Sequence, residues 1–202
     1  MLEYEKDIYK CGFKLIAGCD EAGRGPLCGP VVCAAVIFPE NYHNDRINDS
    51  KKLNQKTREE LFEEIKTNAL SYAICIVSPK EIDEINIYEA SRIGMVRALE
   101  QLNVKPDYIL TDAMPLYDFF NIPKEAIIKG DAKAQCIAAA SILAKVTRDR
   151  IMNELDIKYP EYLFAKHKGY PTREHLKILN EYGPIKEIYR YSYGPVKKFL
   201  KK

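Results

Sequence analysis

Lys14-Leu15-Ile16-Ala17-Gly18-Cys19-Asp20-Glu21-Ala22-Gly23-Arg24-Gly25-Pro26 is an apolar run that ends on two adjacent acids and opens into a glycine-rich turn. Its first six residues, Lys14–Cys19, read as a buried strand bounded by turn residues. Neighbouring side chains on a regular strand point to opposite faces. Asp20 and Glu21 therefore serve one site only if the chain leaves the pleat after Cys19, a departure the following glycines permit. Two adjacent acids after an apolar strand gain nothing obvious from the fold.

Working outward, Val31–Phe38, Ser71–Val77, Tyr108–Thr111 and Ala126–Lys129 are further short runs of strand composition. A helix capped by Asn54 or Thr57 runs to about Thr67, with Leu61, Phe62 and Ile65 on one face. Pro79 suits a first helical turn, and Tyr88, Met95, Leu99 and Leu102 mark a helix over Tyr88–Leu102. From about Ala132 a long helix carries Ile137, Ala140, Ala144, Thr147 and Ile151 at three- and four-residue steps. Its run Ala138-Ala139-Ala140-Ser141 lets a backbone press closely on a sheet. Arg173–Tyr182 reads as another helix, followed by an irregular basic tail. Strands followed by alternation with helices imply an α/β sheet with a C-terminal helical appendage.

Two more aspartates follow strands. Asp112 ends Tyr108–Thr111, and Asp131 lies between Ala126–Lys129 and the long helix. In open α/β sheets, ligands gather beyond the carboxyl ends of strands. Acids delivered there from three strands repel one another unless a cation neutralises them. Taken singly, Asp131 also fits a helix cap, Asp112 a turn residue, and Asp49 a loop or capping residue. An all-oxygen donor set favours Mg²⁺ or Mn²⁺ over zinc. The turn is neither a nucleophile elbow nor a P-loop. The chemistry implied is metal-assisted hydrolysis of a phosphate ester.

At 47% hydrophobic and 30% charged, the chain suits a soluble globule. No apolar run approaches the roughly 18 residues of a membrane span, and the charged opening lacks a secretory signal; a cytoplasmic location is expected. Six cysteines at irregular spacing, none in C-x-x-C, read as free buried thiols. His43 and His175 read as surface residues, and His167 lies in a basic run. Residues 164–202 carry ten Lys/Arg against three Glu, interleaved with aromatics. That balance suits a polyanion, or equally a solvated lysine-rich end.

The acids belong to longer blocks: Asp20–Pro26 with Gly29-Pro30, Asp49-Ser50-Lys51-Lys52-Leu53, Thr111-Asp112-Ala113 and Lys129-Gly130-Asp131. Ile137–Arg150, His167–Thr172 and Ser192–Lys197 complete them. In this order they resemble type 2 ribonuclease H of the bacterial type, ribonuclease HII, over nearly the whole chain. The resemblance implies a ribonuclease H-like mixed sheet flanked by helices over residues 1–158, with a helical and basic extension over 159–202 packed on the same domain. It implies an endoribonuclease that hydrolyses the RNA strand of RNA–DNA hybrids and cuts 5′ of single ribonucleotides in duplex DNA. Its catalytic and metal-binding acids fall on Asp20, Glu21, Asp112 and Asp131. Its glycine-arginine-glycine loop falls on Gly23, Arg24 and Gly25, and its ribose-sensing tyrosine on Tyr170.

Lys51 and Lys52 fit phosphate contacts or a solvated loop, and Arg24 a phosphate contact or an ion pair with a nearby acid. A monomer is expected, without the N-terminal extension of type HIII enzymes and without a recognisable sliding-clamp motif at the C-terminus. The other reading is a metal-dependent nucleic-acid-binding protein of the same fold that does not cut.

Overall fold

The computed structural model describes residues 3–201; Met1, Leu2 and Lys202, the last residue of the basic tail, lie outside it. Five strands form one mixed sheet: β1 (Ile16–Ala22), β2 (Val31–Ile37), β3 (Ser71–Val77), β4 (Tyr108–Asp112) and β5 (Lys124–Ile127). Their order is β3-β2-β1-β4-β5. The strands β1, β2 and β3 meander antiparallel, whereas β4 and β5 run parallel to β1. The fold is thus the mixed α/β sheet expected.

Strand alternation divides the core into two layers. Odd residues of β1 and β2 (Ala17, Cys19, Val31, Cys33, Ala35 and Ile37) pack against α3 (Pro79–Glu100). Even residues Val32, Ala34 and Val36 pack against α2 (Gln55–Asn68) and α4 (Gln135–Lys158). In this numbering α1 is Glu3–Lys10. Asn54 caps α2 by accepting from the Thr57 amide, a contact worth about 1 kcal/mol. The helix expected over Tyr88–Leu102 is the second half of α3. Asn86, at φ 67°, interrupts α3, and its Oδ1 accepts from the Tyr88 and Glu89 amides to restart it.

The strand β1 corrects one expectation. It does not leave the pleat after Cys19 but continues to Ala22, because β2 keeps pairing with it: Asp20 faces Ala34 and Glu21 faces Cys33. The two acids therefore emerge on opposite faces, yet at this strand end both still line one cleft, so leaving the pleat is not required for them to share a site. Likewise β5 begins at Lys124, two residues before the expected Ala126, and ends at Ile127.

Sheet and long helix approach closely at Gly18, where any Cβ would lie 2.2 Å from the Cys136 carbonyl carbon. The run Ala138–Ala140 is fully buried just beyond. The first turn of α4 is capped from a distance: buried Glu5 on α1 accepts from the Cys136 amide through Oε1 at 2.9 Å. Asp131 is thus not the cap of α4.

A third cluster joins Leu27, Cys28 and Met152 to Tyr162, Phe164, Ile178, Leu179, Tyr189 and Val196. It includes the short α5 (Phe164–His167), α6 (Arg173–Tyr182) and α7 (Gly194–Lys197). Val196 is fully buried there and anchors the basic end, whereas Lys197, Lys198 and Leu200 beyond it are exposed. All six cysteines are free, and only Cys11 is exposed. Among the described residues, no helix is long and apolar enough to cross a membrane.

Candidate active site

The parallel register of β1 and β4 pairs Cys19 with Thr111, so Asp20 and Asp112 follow side by side on adjacent strand ends. The strand β5 pairs Ile127 with Asp112 and then turns through Lys129, at φ 58°, into Gly130–Ala132. That turn carries Asp131 back over the same edge. Asp112 fixes it, its Oδ1 accepting from the Gly130 amide at 2.8 Å. Carboxylate oxygens of Asp20, Asp112 and Asp131 consequently lie within 4.8 Å of one another. The structure brings three of the four expected acids together.

Glu21 stands beside the trio rather than in it. Its Oε1 lies 3.5 Å from Arg24 Nη1, which realises the ion-pair reading of Arg24. Its Oε2 is buried without a hydrogen-bond partner. Burial raises the Asp20 carboxyl well above the usual range, and the nearby Glu21 and Asp112 carboxylates add to that. Burial also raises Glu21 and Asp131; Arg24 opposes it at Glu21, and Lys51 does so at Asp131. Crowded, dehydrated acids with an orphaned acceptor and only oxygen donors fit hard divalent cations.

A cleft of about 210 Å³ opens at Asp20 and Glu21, lined also by Gly23, Arg24, Gly25, Lys51 and Tyr170 among others. Lys51, part of that lining, comes within 3.6 Å of Asp131 Oδ2. Its loop is held by a Ser50–Ser141 hydroxyl contact of 2.8 Å and by Arg58, which donates to the Ser50 carbonyl at 3.1 Å. Asp49 is a loop residue, as one reading had it, with Oδ1 accepting from the Lys51 amide. Lys52 is exposed and outside the cleft lining.

The ring of Tyr170 forms the opposite wall, 45% exposed. A Cβ on Gly25 would sit 3.5 Å from that ring. The main chain of Tyr170 is firmly held: its carbonyl accepts from the Thr172 amide and from His175 Nδ1.

His175 corrects the surface expectation, being fully buried on α6. Its spacing gave no hint, because the apolar partner is another imidazole: His167 and His175 stack with centroids 3.9 Å apart. His167 Nδ1 accepts from the Gly169 amide, so its Nε2 carries the proton and donates to the Tyr162 carbonyl. His175 has the opposite tautomer, donating from Nδ1 and accepting from the Tyr189 hydroxyl at 2.7 Å. Both rings are neutral by this accounting. Burial pushes His167 down and His175 down to about 4.

A stability prediction follows from the sign of these shifts. Between about pH 4 and 6.5 the unfolded chain takes up protons that the folded histidines refuse, so stability rises with pH. This contribution is complete above pH 6.5 and is lost as pH falls towards 4. The raised carboxyls pull the other way, so the measurement is a comparison of urea midpoints from pH 7 to 5 for the native chain and His175→Gln. The native chain should lose the more; parallel curves would remove the histidines from the account.

Sequence reasoning missed Arg148, which lines the cleft, and Arg190, which holds its loop from behind; both are fully buried. Arg148 had a signal: it continues the four-residue stripe Ala140, Ala144, Arg148 and Met152, all buried on α4. Arg190, between two tyrosines in an irregular segment, had none.

The family model for ribonuclease HII matches residues 17–196. The chain belongs to the ribonuclease HII family. It is 50% identical over 202 residues to the ribonuclease HII of Bacillus anthracis, covering all of this chain and 77% of that one. The ribonuclease H2 structure from Pyrococcus horikoshii superposes with TM-score 0.78 at 32% identity, covering 93% of this chain and 97% of the other. A complex of PCNA with the ribonuclease HII of Archaeoglobus fulgidus gives TM-score 0.74 at 31% identity, over 89% and 95%. A ribonuclease HIII described in complex with Mn²⁺ shares the fold at TM-score 0.68 and 17% identity, over 93% and 70%. The chain is accordingly a ribonuclease H enzyme, and its acidic cluster has the composition to suit a metal ion.

Proposed function

We propose that the enzyme hydrolyses the RNA strand of RNA–DNA hybrids and also cuts on the 5′ side of single ribonucleotides in duplex DNA, with two divalent ions at the acidic edge. One observation carries this reading: Asp20, whose carboxylate clusters with those of Asp112 and Asp131, lines the same cleft as the Gly23–Gly25 loop and Tyr170. Acidic and ribose-reading groups thereby adjoin one cleft.

Asp20, Asp112 and Asp131 would hold Mg²⁺ or Mn²⁺, with Glu21 as the fourth donor. When bound, such ions activate a water and stabilise the leaving oxygen. The remaining work belongs to the chain itself. The glycine loop brings backbone groups against a sugar where a side chain would collide, and Tyr170 packs its ring on the ribose beside the 2′-hydroxyl that marks RNA. Lys51 and Arg24 meet the flanking phosphates, with Lys52 a weaker outer contact. The basic C-terminal extension, residues 159–202, supports Tyr170 and extends the phosphate track.

The test is a duplex with one ribonucleotide, incubated beside all-DNA and all-hybrid controls. Incision 5′ of the ribonucleotide and none in all-DNA supports the reading; comparable cutting of ribose-free DNA, or no cut at the single ribonucleotide, refutes it. Exposed Lys197 and Lys198 provide a second check. Changing both to glutamine should leave the fold intact, because Val196 stays in place. The slope of log affinity against log salt should become shallower by about one per lost phosphate contact. An unchanged slope would take these lysines out of the interface.

A further inference from the structure

Two buried guanidinium groups lie under the cleft without a carboxylate between them. Arg190 donates to the carbonyls of Gly23 (2.7 Å), Arg24 (3.0 Å) and Gly29 (2.9 and 3.0 Å). Arg148 donates to the carbonyls of Pro30 (3.0 Å), Cys28 (3.1 Å) and Lys168 (3.0 Å). A buried charge ordinarily has an acid partner, since dehydrating it is costly. Here Arg148 is satisfied by main-chain oxygens alone and Arg190 by main-chain oxygens and one tyrosine hydroxyl, and burial lowers the pKa of both guanidinium groups. An arrangement this expensive fixes backbone rather than adding stability.

The geometry says which way the backbone is fixed. In a trans peptide the carbonyl and the next amide point in opposite directions. Since the Gly23 and Arg24 carbonyls turn inward to Arg190, the amides of Arg24 and Gly25 turn away from it. Neither amide has an acceptor among the described residues, and both residues line the cleft. Gly23 completes the fit: at φ 104° it leaves room for Arg148, whose Nε would lie 2.1 Å from any Cβ there. Arg148 also ties the Lys168 carbonyl, two residues before Tyr170, to the same framework.

We infer that Arg190 and Arg148 are positioning residues for ribose recognition: Arg190 turns the Arg24 and Gly25 amides toward the substrate, and Arg148 locks the Tyr170 turn in register with them. This rests on the reading that the glycine loop and Tyr170 meet the ribose. Tyr193 assists from the rim, its hydroxyl donating to the Arg24 carbonyl at 2.7 Å and accepting from Arg190 Nη1 at 3.0 Å.

The test is Arg190→Lys. Lysine keeps the charge, but one ammonium cannot span three carbonyls held by a planar fork. Cleavage of a single-ribonucleotide duplex should fall roughly a hundredfold, the scale of a displacement of about 1 Å at a reacting centre. Cleavage of a continuous hybrid should fall much less, and Mn²⁺ affinity, read by calorimetry, should stay within about twofold because no acid ligand has moved. A merely structural role would lower both substrates together.

Equal loss on the two substrates, or no loss, overturns the inference. If wild type itself fails to cut the single-ribonucleotide duplex, the reading of the site has failed instead. Should Arg190→Lys not fold, Tyr193→Phe decides: loss of one hydrogen bond to the loop should shift the same substrate ratio about threefold, and an unshifted ratio refutes the clamp.

Discussion

Replacing Asp112 with asparagine is expected to reduce hybrid cleavage in Mg²⁺ on the order of a thousandfold, while the fold survives. The magnitude follows from the several kcal/mol that metal charge contributes to a hydrolytic transition state, at about 1.4 kcal/mol per tenfold. Survival follows from shape. The amide oxygen of asparagine still accepts from Gly130, so the turn carrying Asp131 stays in place. The same holds for Asp20→Asn, where an oxygen still accepts from the Glu21 amide. Removing one of several crowded charges should leave the metal-free melting temperature level or slightly higher. Mn²⁺ titration, turnover and melting measured on one preparation check all three statements. Near-normal turnover in either variant would mean that the trio is not the hydrolytic centre.

Tyr170 should separate its two contributions cleanly. Tyr170→Ala removes the ring that faces Gly25 and should slow single-ribonucleotide cleavage about a hundredfold, the scale of a misplaced reacting group. Continuous hybrids should suffer less, because neighbouring 2′-hydroxyls compensate. Tyr170→Phe keeps the ring and loses about 0.5–1.5 kcal/mol, roughly a two- to tenfold effect. The ring is 45% exposed and its main chain is held independently, so neither variant should unfold. The quantity to measure is the rate ratio of the two substrates. If alanine slows both alike, Tyr170 only packs.

Much of this was legible in the residues. Strands ending at acids announced the cluster of Asp20, Asp112 and Asp131 at one sheet edge, and the small run at Ala138–Ala140 announced a helix laid tightly on a sheet. What could not be read depended on distant partners. The strand β1 outran its apparent end because β2 supplies small residues, Ala34 and Cys33, opposite Asp20 and Glu21. Composition sees one strand at a time and cannot see that pairing. His175 looks like a surface residue until Tyr170, Tyr189 and His167 satisfy both its nitrogens and its face. Arg190 is invisible for the same reason, since its partners are carbonyls more than 160 positions away. Asp131 resembled a cap because the true cap, Glu5, is supplied by the first helix.

The contact at Gly18 bears on how such an enzyme could be retuned. With no side chain between strand and helix, β1 and α4 act as one rigid plate. That plate carries Asp20 from the strand, and Ser141 and Arg148 from the helix, while Asp131 enters the helix just before it. Any tilt of α4 would shift the acidic edge and the floor of the Gly23–Gly25 loop by linked amounts. Altered substrate preference is therefore accessible only from parts mounted outside the plate: the Lys51 loop, the Arg24 side chain and the Tyr170 ring.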